Sequence, residues 1–143
     1  MKATVLLVED SKVQKLTNER ILHKAGYSVL HAEDGEEAIR LAQQEIPDVV
    51  LLDMLLPKLG GPEVIRALKG NPATAGIPVL VLSSLPQANE QKLKTEGAAG
   101  YFEKSRLLGK NGGEAEFIGL IETLIRESKN EEGVKAASVG NQR

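Results

Sequence analysis

The sequence contains no cysteine and no tryptophan, and aromatic residues make up only 3% of it. Without cysteine, disulfides and thiolate metal sites are excluded, which fits a reducing compartment. No apolar run approaches the roughly 20 residues of a membrane-spanning helix, and Glu9 and Asp10 interrupt the N-terminal run before it is long enough for a signal peptide. The net charge of −2 and the lack of a basic block give no reason to expect nucleic acid or an anionic membrane as a partner. We therefore expect a soluble cytoplasmic protein.

What the chain does contain is typical of one globular domain: 143 residues, of which 41% are apolar and 27% are charged. Short apolar runs alternate with longer amphipathic segments. The predicted strands are residues 4–8, 28–32, 48–53, 78–84 and 99–103. The predicted helices are residues 11–25, 35–45, 62–69, 87–96 and 114–127. This alternation predicts a doubly wound α/β domain over residues 1–127, with a parallel sheet and right-handed crossovers.

The apolar runs differ in a way that predicts their place in the sheet. Residues 4–8, 48–53 and 78–84 are almost continuously apolar, which indicates strands covered on both faces. Residues 28–32 and 99–103 are more mixed, as we expect of edge strands. The last segment, residues 128–143, is polar and lacks apolar periodicity, so we interpret it as a tail or the start of a linker.

One acidic residue stands in the most apolar part of the sequence. In "VVLLDMLLP", Asp53 is the only charged side chain, and an isolated carboxylate is costly to bury. Other predicted strands also end in polar residues: the first in Glu9 and Asp10, the fourth in Ser83 and the fifth in Lys104. Because sites in an open parallel sheet form at the carboxyl ends of the strands, we expect these side chains to meet.

The expected group of side chains has a definite chemistry. Three close carboxylates repel one another unless a cation lies among them, and all-oxygen ligation suits Mg²⁺. Lys104 would supply a positive charge to a phosphate oxygen, and Ser83 would supply a hydroxyl hydrogen bond. Asp53 would be the nucleophile that forms an aspartyl phosphate, in a reaction catalysed mostly by positioning and charge stabilisation.

The same residues lie in motifs that resemble those of response regulator receiver domains, the phosphoacceptor domains of two-component signalling. "LLVEDS" matches the family's acidic pair, "LLDMLLP" its phosphoacceptor loop, "VLVLSS" its switch hydroxyl and "GYFEKS" its essential lysine. The resemblance runs from about Thr4 to about Arg126. It implies the flavodoxin-like (βα)5 fold, with a five-stranded parallel sheet in the order 2-1-3-4-5 and Asp53 as the phosphoacceptor.

The resemblance also implies roles that the residues alone do not indicate. The backbone carbonyl of Leu55 would be a further Mg²⁺ ligand beside Glu9, Asp10 and Asp53, and Tyr101 would be the switch aromatic. The phosphoryl donor would be a sensor histidine kinase or a phosphotransfer protein. The domain would catalyse only its own phosphorylation and slow dephosphorylation, so we do not otherwise expect an enzyme.

An output surface is expected on the side of helix 4, strand 5 and helix 5. Phosphorylation would draw Ser83 inward and shift this surface between two arrangements. In the last helix, Ile118 and Ile125 widen the apolar face beyond what packing on a sheet needs. We therefore expect these two side chains to help form a surface for an output partner or for self-association.

The sequence departs from the family's pattern around the lysine and in the third turn. Gly60 stands before Gly61 where the family often has aspartate, and Ser105 follows Lys104 where it usually has proline, commonly with a cis bond. A cis bond before a residue other than proline costs about 2.5–4 kcal/mol. We therefore predict a trans bond before Ser105 and a different path for the loop that follows, with Lys104 still reaching Asp53.

Three alternative functions are considered. A phosphohydrolase with an aspartate nucleophile needs a second acid two residues later, and that position is Leu55. A nucleotide-binding module needs a glycine-rich phosphate loop after the first strand, and the loop here is the acidic "EDSK". A receiver fold that no longer uses phosphorylation and serves only as a docking module stays open.

Overall fold

The computed structural model describes residues 3–54, 60–83, 90–107 and 113–141, which form alternating strands and helices. The strands are β1 (Thr4–Val8), β2 (Ser28–Ala32), β3 (Val49–Asp53), β4 (Val79–Ser83) and β5 (Gly100–Glu103). The helices are α1 (Lys12–Lys24), α2 (Gly35–Glu45), α3 (Gly61–Lys69), α4 (Glu90–Glu96) and α5 (Gly113–Asn141). A short 3-10 helix, Lys104–Leu107, directly follows β5. The predicted strands and helices are thus confirmed, most of them to within a residue or two; of the predicted fourth helix, residues 87–89 lie outside the described residues.

The five strands form one parallel sheet in the order β2-β1-β3-β4-β5, which is the predicted flavodoxin-like order. The mixed runs are the edge strands β2 and β5, as predicted, and the residues of β3 and β4 are buried throughout. In the register of the sheet, Val8 pairs with Leu52 and Asp53 pairs with Leu82. The polar residues that follow β1, β3 and β4 therefore come together at one edge of the sheet.

The core lies on both faces of the sheet. On one face, residues of β1 and β3 pack with the buried side of α3, which contributes Val64, Ile65 and Leu68. On the other face, α5 contributes Phe117 and Ile121, and the ring of Phe117 lies 5.3 Å from that of Phe102. Burial of a side chain of this size contributes roughly 1.5–3 kcal/mol. These two layers fix the strands, and with them the residues at their carboxyl ends.

Side chains cap the helices that start near the candidate site. The hydroxyl oxygen of Ser11 accepts a hydrogen bond from the backbone N–H of Gln14, at 3.4 Å. A carboxylate oxygen of Asp34 accepts one from the N–H of Glu37, at 2.9 Å. Such caps satisfy backbone donors that a helix start leaves free, so they set where α1 and α2 begin.

The predicted end of the last helix is wrong. We expected a helix to residue 127, whereas α5 continues to Asn141. The segment is polar, but it has no proline to end the helix, and its lysine, glutamate and alanine residues favour helix without needing an apolar face. Near this point, Ser128 donates a hydrogen bond to the carbonyl of Gly76, and Lys129 lies 3.8 Å from Asp48. The role of residues 128–143 as a tail or linker stays a prediction.

The apolar face of α5 is not free, and the argument from its width is also wrong. Ile125 is buried in the core, and Ile118 is partly buried and packs against the same core cluster. The sequence predicts that these two side chains help form a partner surface. This chain itself covers Ile125 and part of Ile118, so the width of the face does not support that surface, and an output surface on α4, β5 and α5 stays a prediction.

Candidate functional site

Three charged side chains from three different strands meet at the carboxyl edge of the sheet. Asp53 ends β3, Glu9 follows β1 and Lys104 follows β5. The Nζ atom of Lys104 lies 3.0 Å from Oδ1 of Asp53 and 3.4 Å from Oε1 of Glu9. Glu9 is 1% exposed and Asp53 is 5% exposed. Because a buried charge is tolerated when it is paired, Lys104 explains how an acid can end this apolar strand.

Glu9, Asp10 and Asp53 form what we call the acidic cluster. Each of them offers one carboxylate oxygen, and the three oxygens lie within 4.8 Å of one another. Glu9 and Asp53 are buried, and Asp10 is exposed. Oxygen ligands of this kind suit a hard divalent cation such as Mg²⁺, which binds a few carboxylates and keeps several waters. The donor set therefore fits the predicted metal site.

The protonation of Glu9 reflects this crowding. Burial, followed by a hydrogen bond with Asp53 and the negative charge of Asp53, raises the pKa of Glu9 from 4.5 to about 7. The charge of Lys104 and the N–H of Ser11 act in the opposite direction. Without a metal, Glu9 is therefore protonated at mildly acidic pH and ionises as the pH rises through about 7. A bound cation would take the place of that proton.

The backbone of Glu9 is held on both sides, and the sequence analysis did not predict this. Its N–H donates to the carbonyl of Ala32 at 3.0 Å, and its carbonyl accepts a bond from Nε2 of His31 at 2.7 Å. The N–H of Ser11 also donates to the Glu9 carboxylate at 3.2 Å. His31 lies in the edge strand β2, outside the motifs that predict the site. Its place at the end of the strand beside β1 is the only sequence signal that could have indicated this contact.

Ser83 and Tyr101, the two predicted switch residues, are both buried. Ser83 ends β4 at the same edge as Asp53 and is 3% exposed. Tyr101 lies in β5, is 7% exposed and belongs to the core cluster that includes Val81 and Ala98. The remaining predicted ligand, the carbonyl of Leu55, lies outside the described residues and stays a prediction.

The predicted trans bond after Lys104 is confirmed, whereas the path of the following loop stays a prediction because residues 108–112 lie outside the described residues. There is no cis peptide bond among the described residues, so the bond from Lys104 to Ser105 is trans. The guanidinium of Arg106 lies over the ring of Phe102, 5.1 Å from its centre, and pairs with Glu116 of α5. A Cβ atom on Gly113 would clash with the backbone carbonyl of Arg106. The 3-10 helix is therefore packed tightly against the start of α5.

An open cavity of about 520 Å³ lies beside the acidic cluster. Its lining residues include Glu9, Asp10, Lys12, Leu16, His31 and Asp34. It is bounded by the first turns of α1 and by the end of β2, so the acidic cluster can be approached from the side of α1.

Among the described residues, no helix combines the length and apolar character needed to cross a membrane.

Comparisons with known proteins agree with this geometry. The family described as the response regulator receiver domain matches residues 5–108. The gliding motility regulatory protein of Myxococcus xanthus is 40% identical over 104 residues, which are 72% of this chain and 13% of that protein. Protein PilH of Pseudomonas aeruginosa is 37% identical over 103 residues, 71% of this chain and 85% of that protein. This chain thus spans nearly all of one relative and a small part of another.

A solved structure is similar as well. The receiver domain of a sensor histidine kinase from Pseudomonas aeruginosa PAO1, which has a magnesium ion coordinated in its active-site cleft, superposes with a TM-score of 0.75. The two sequences are 28% identical, and the match covers 87% of this chain and 98% of that one. The similarity therefore extends over almost the whole domain.

Proposed function

The chain belongs to the family of response regulator receiver domains of two-component signalling, and from this premise we propose that it accepts a phosphoryl group on Asp53. The observation that carries the proposal is the contact of Asp53 with Lys104 at the rim that also bears Glu9. Such a transfer needs a nucleophilic carboxylate, a cation that binds the incoming phosphoryl oxygens, and further acids that bind a metal.

The proposed donor is a phosphohistidine of a sensor kinase or of a phosphotransfer protein. A carboxylate oxygen of Asp53 attacks phosphorus, so a phosphorus–oxygen bond forms as the phosphorus–nitrogen bond of the donor breaks. The leaving imidazole takes up a proton from solvent. Lys104 stays within reach of the transferred group because its ammonium already lies 3.0 Å from the attacking side chain. Ser83, buried at the end of the neighbouring strand, would donate its hydroxyl to a phosphoryl oxygen.

Magnesium is the proposed cofactor, held by the carboxylates of the acidic cluster and by the carbonyl of Leu55. When bound, it would neutralise these carboxylates and the negative charge of the phosphoryl group. The raised pKa of Glu9 supports a site that gains from a cation, since the carboxylates are crowded without one. Beyond this transfer and a slow loss of the phosphoryl group, we propose no enzymatic activity.

The donor protein is proposed to approach over α1. Val13 is 75% exposed and Leu16 is 65% exposed, which makes them the most exposed large apolar side chains among the described residues. Both lie in the first two turns of the helix that begins at the acidic cluster, and Leu16 also lines the cavity beside it. Apolar side chains at such a place favour contact with a protein partner that brings its phosphoryl group to the rim.

Substitution of both α1 side chains tests this docking. Val13→Ser with Leu16→Ser should slow transfer from the partner kinase and leave labelling by a small phosphodonor unchanged. The matched control is Ile46→Ser, because Ile46 is 49% exposed but follows α2 at the opposite edge of the sheet. Equal transfer rates in the double variant and the control would contradict the proposed route of approach.

The proposed output is a change of binding surface. Burial of Ser83 and Tyr101 supports a coupling between the phosphoryl site and the side of β4 and β5, since both side chains lie in the packed interior. The output partner would bind the surface of α4, β5 and α5, or a second copy would pair there. A cytoplasmic location, which suits a cytoplasmic kinase domain as donor, also stays a prediction.

Binding of beryllofluoride, which mimics a phosphoryl group on a carboxylate, tests the site itself. Wild-type protein should bind it only when Mg²⁺ is present, and Asp53→Asn should not bind it. Asp48→Asn is the matched control, since Asp48 precedes β3 at its opposite end and accepts a hydrogen bond from Thr4 that asparagine can also accept. Failure of the wild type to bind would favour the alternative, a docking module that does not use phosphorylation.

A further inference from the structure

We propose that Gln14 is a positioning residue for Lys104: its side-chain carbonyl keeps the ammonium at the rim when the acidic cluster is occupied by a cation. This inference rests on the proposed function, because it concerns how the lysine is presented to a phosphoryl group on Asp53. Gln14 belongs neither to the acidic cluster nor to the residues that the resemblance indicates.

The contact of Gln14 is the shortest of those that Lys104 makes to described residues. Oε1 of Gln14 lies 2.7 Å from Nζ of Lys104, compared with 3.0 Å for Asp53 and 3.4 Å for Glu9. An ammonium only donates, so the atom that faces it must be the amide oxygen. Its three N–H groups thus have three acceptors, two of them carboxyl oxygens and one an amide oxygen.

The amide oxygen differs from the carboxyl oxygens in what happens when a divalent cation binds. The oxygens of Glu9 and Asp53 would then be shared with the cation, which also repels the ammonium. The amide of Gln14 carries no charge and is not needed by the metal, so its contact with Lys104 can persist. Without it, the lysine would regain part of the rotamer freedom of its four-carbon stem.

Gln14 lies where it can hold the lysine, and its side chain contributes little to the packing of the fold. Its backbone N–H donates to the hydroxyl of Ser11, which fixes it in the first turn of α1. Its side chain is exposed, so it adds little to the core. Because Ser105 and not proline follows Lys104, no proline ring restricts the backbone next to the lysine.

The test compares Gln14→Met, which keeps the length of the side chain but removes the oxygen, with the wild type. At saturating Mg²⁺, the rate of labelling by a small phosphodonor should fall about threefold to tenfold, as expected for the loss of one solvent-exposed hydrogen bond. The affinity for Mg²⁺, measured by calorimetry, should stay within about twofold, and the unfolding midpoint should not change. A slower rate with unchanged Mg²⁺ affinity and stability distinguishes positioning of the lysine from damage to the metal site or to the fold.

Two controls make the result specific. Gln44→Met removes an exposed glutamine that also accepts a bond from a cationic side chain, Arg40, at 3.2 Å, and it should leave the rate unchanged. In a Lys104→Met background, Gln14→Met should have no further effect, because its partner is already gone. Three outcomes would overturn this inference but not the proposed function. They are an unchanged labelling rate in Gln14→Met, a loss of Mg²⁺ affinity as large as the loss of rate, and the same slowing in the Lys104→Met background. Label that survives in Asp53→Asn would contradict the proposed function and this inference with it.

Discussion

The ammonium of Lys104 lies 3.0 Å from Oδ1 of Asp53, although β4 separates β3, which Asp53 ends, from β5, which Lys104 follows. The lysine reaches this position with its side chain 16% exposed, against 6% for the aspartate. A pair that is largely removed from water is sensitive to the loss of either partner, because the remaining charge is left uncompensated. Lys104 would also compete with a metal ion, because the ammonium and the metal bind the same carboxylate oxygens.

Removal of the lysine should therefore have two opposite effects. Lys104→Met should lower the free energy of unfolding without metal at pH 8 by about 1–3 kcal/mol, because Glu9 and Asp53 lose their cation. The same change should strengthen Mg²⁺ binding, because a competing cation is gone. Denaturant unfolding and calorimetry measure the two effects. Lys129→Met, whose lysine is 64% exposed and pairs with Asp48 at 3.8 Å, is the control that should change neither. Weaker Mg²⁺ binding in the Lys104 variant would contradict the competition.

The raised pKa of Glu9 predicts how stability depends on pH when no metal is present. Its pKa is about 7 in the folded protein and 4.5 is its ordinary value, so between these values the folded state holds more protons than the unfolded state. The stabilising contribution of protonated Glu9 is therefore fully present below about pH 4.5 and is lost as the pH rises through 7. Urea midpoints in a chelator should fall across this window.

Two further experiments test whether Glu9 causes this dependence of stability on pH. Glu9→Gln should flatten the slope of the urea midpoint against pH, because the amide does not titrate. Saturating Mg²⁺ should weaken or reverse it, because the cation binds the ionised carboxylates and stabilises the folded state more at higher pH. A slope that is the same in Glu9→Gln as in the wild type would show that another group is responsible.

Asp10 is expected to contribute to metal binding more than to the apo fold. Asp10→Ala should weaken Mg²⁺ binding by about tenfold or more, since one ligand oxygen of three in the acidic cluster is lost. The apo protein should be as stable as the wild type or slightly more so, because repulsion among the carboxylates is relieved. Glu33→Ala is the control, as Glu33 lines the same cavity but is not part of the acidic cluster. Unchanged Mg²⁺ affinity in Asp10→Ala would place the metal elsewhere.

Two glycines of α5 should have opposite effects on stability when they are replaced by alanine, because one is tightly packed and the other is not. A Cβ on Gly113 would clash with the backbone carbonyl of Arg106, so Gly113→Ala should destabilise the protein by about 1–3 kcal/mol and displace the 3-10 helix. Nothing lies within 4 Å of a Cβ on Gly119, so Gly119→Ala should stabilise α5 by about 0.5–1 kcal/mol. Thermal unfolding measures both. Similar midpoints for the two variants would contradict the close approach.

Much of this arrangement could be predicted because it depends on local patterns. The continuous apolar runs placed β1, β3 and β4 inside the sheet, and the rule for carboxyl ends then brought Asp53 and Lys104 to one edge. The contacts of His31 and Gln14 could not be predicted in the same way, since they depend on side-chain direction and on which helix passes over which strand. The end of α5 was missed because a polar helix has no periodicity to reveal it.

Phosphorylation of Asp53 is the central claim, and intact-protein mass spectrometry tests it most directly. The protein is incubated with acetyl phosphate and Mg²⁺ and compared with Asp53→Asn, with Asp48→Asn as the control at the other end of β3. We predict one added phosphoryl group in the wild type and in Asp48→Asn, none in Asp53→Asn, and none in any of them when Mg²⁺ is chelated. An Asp53→Asn protein labelled as fully as the wild type would contradict the assignment.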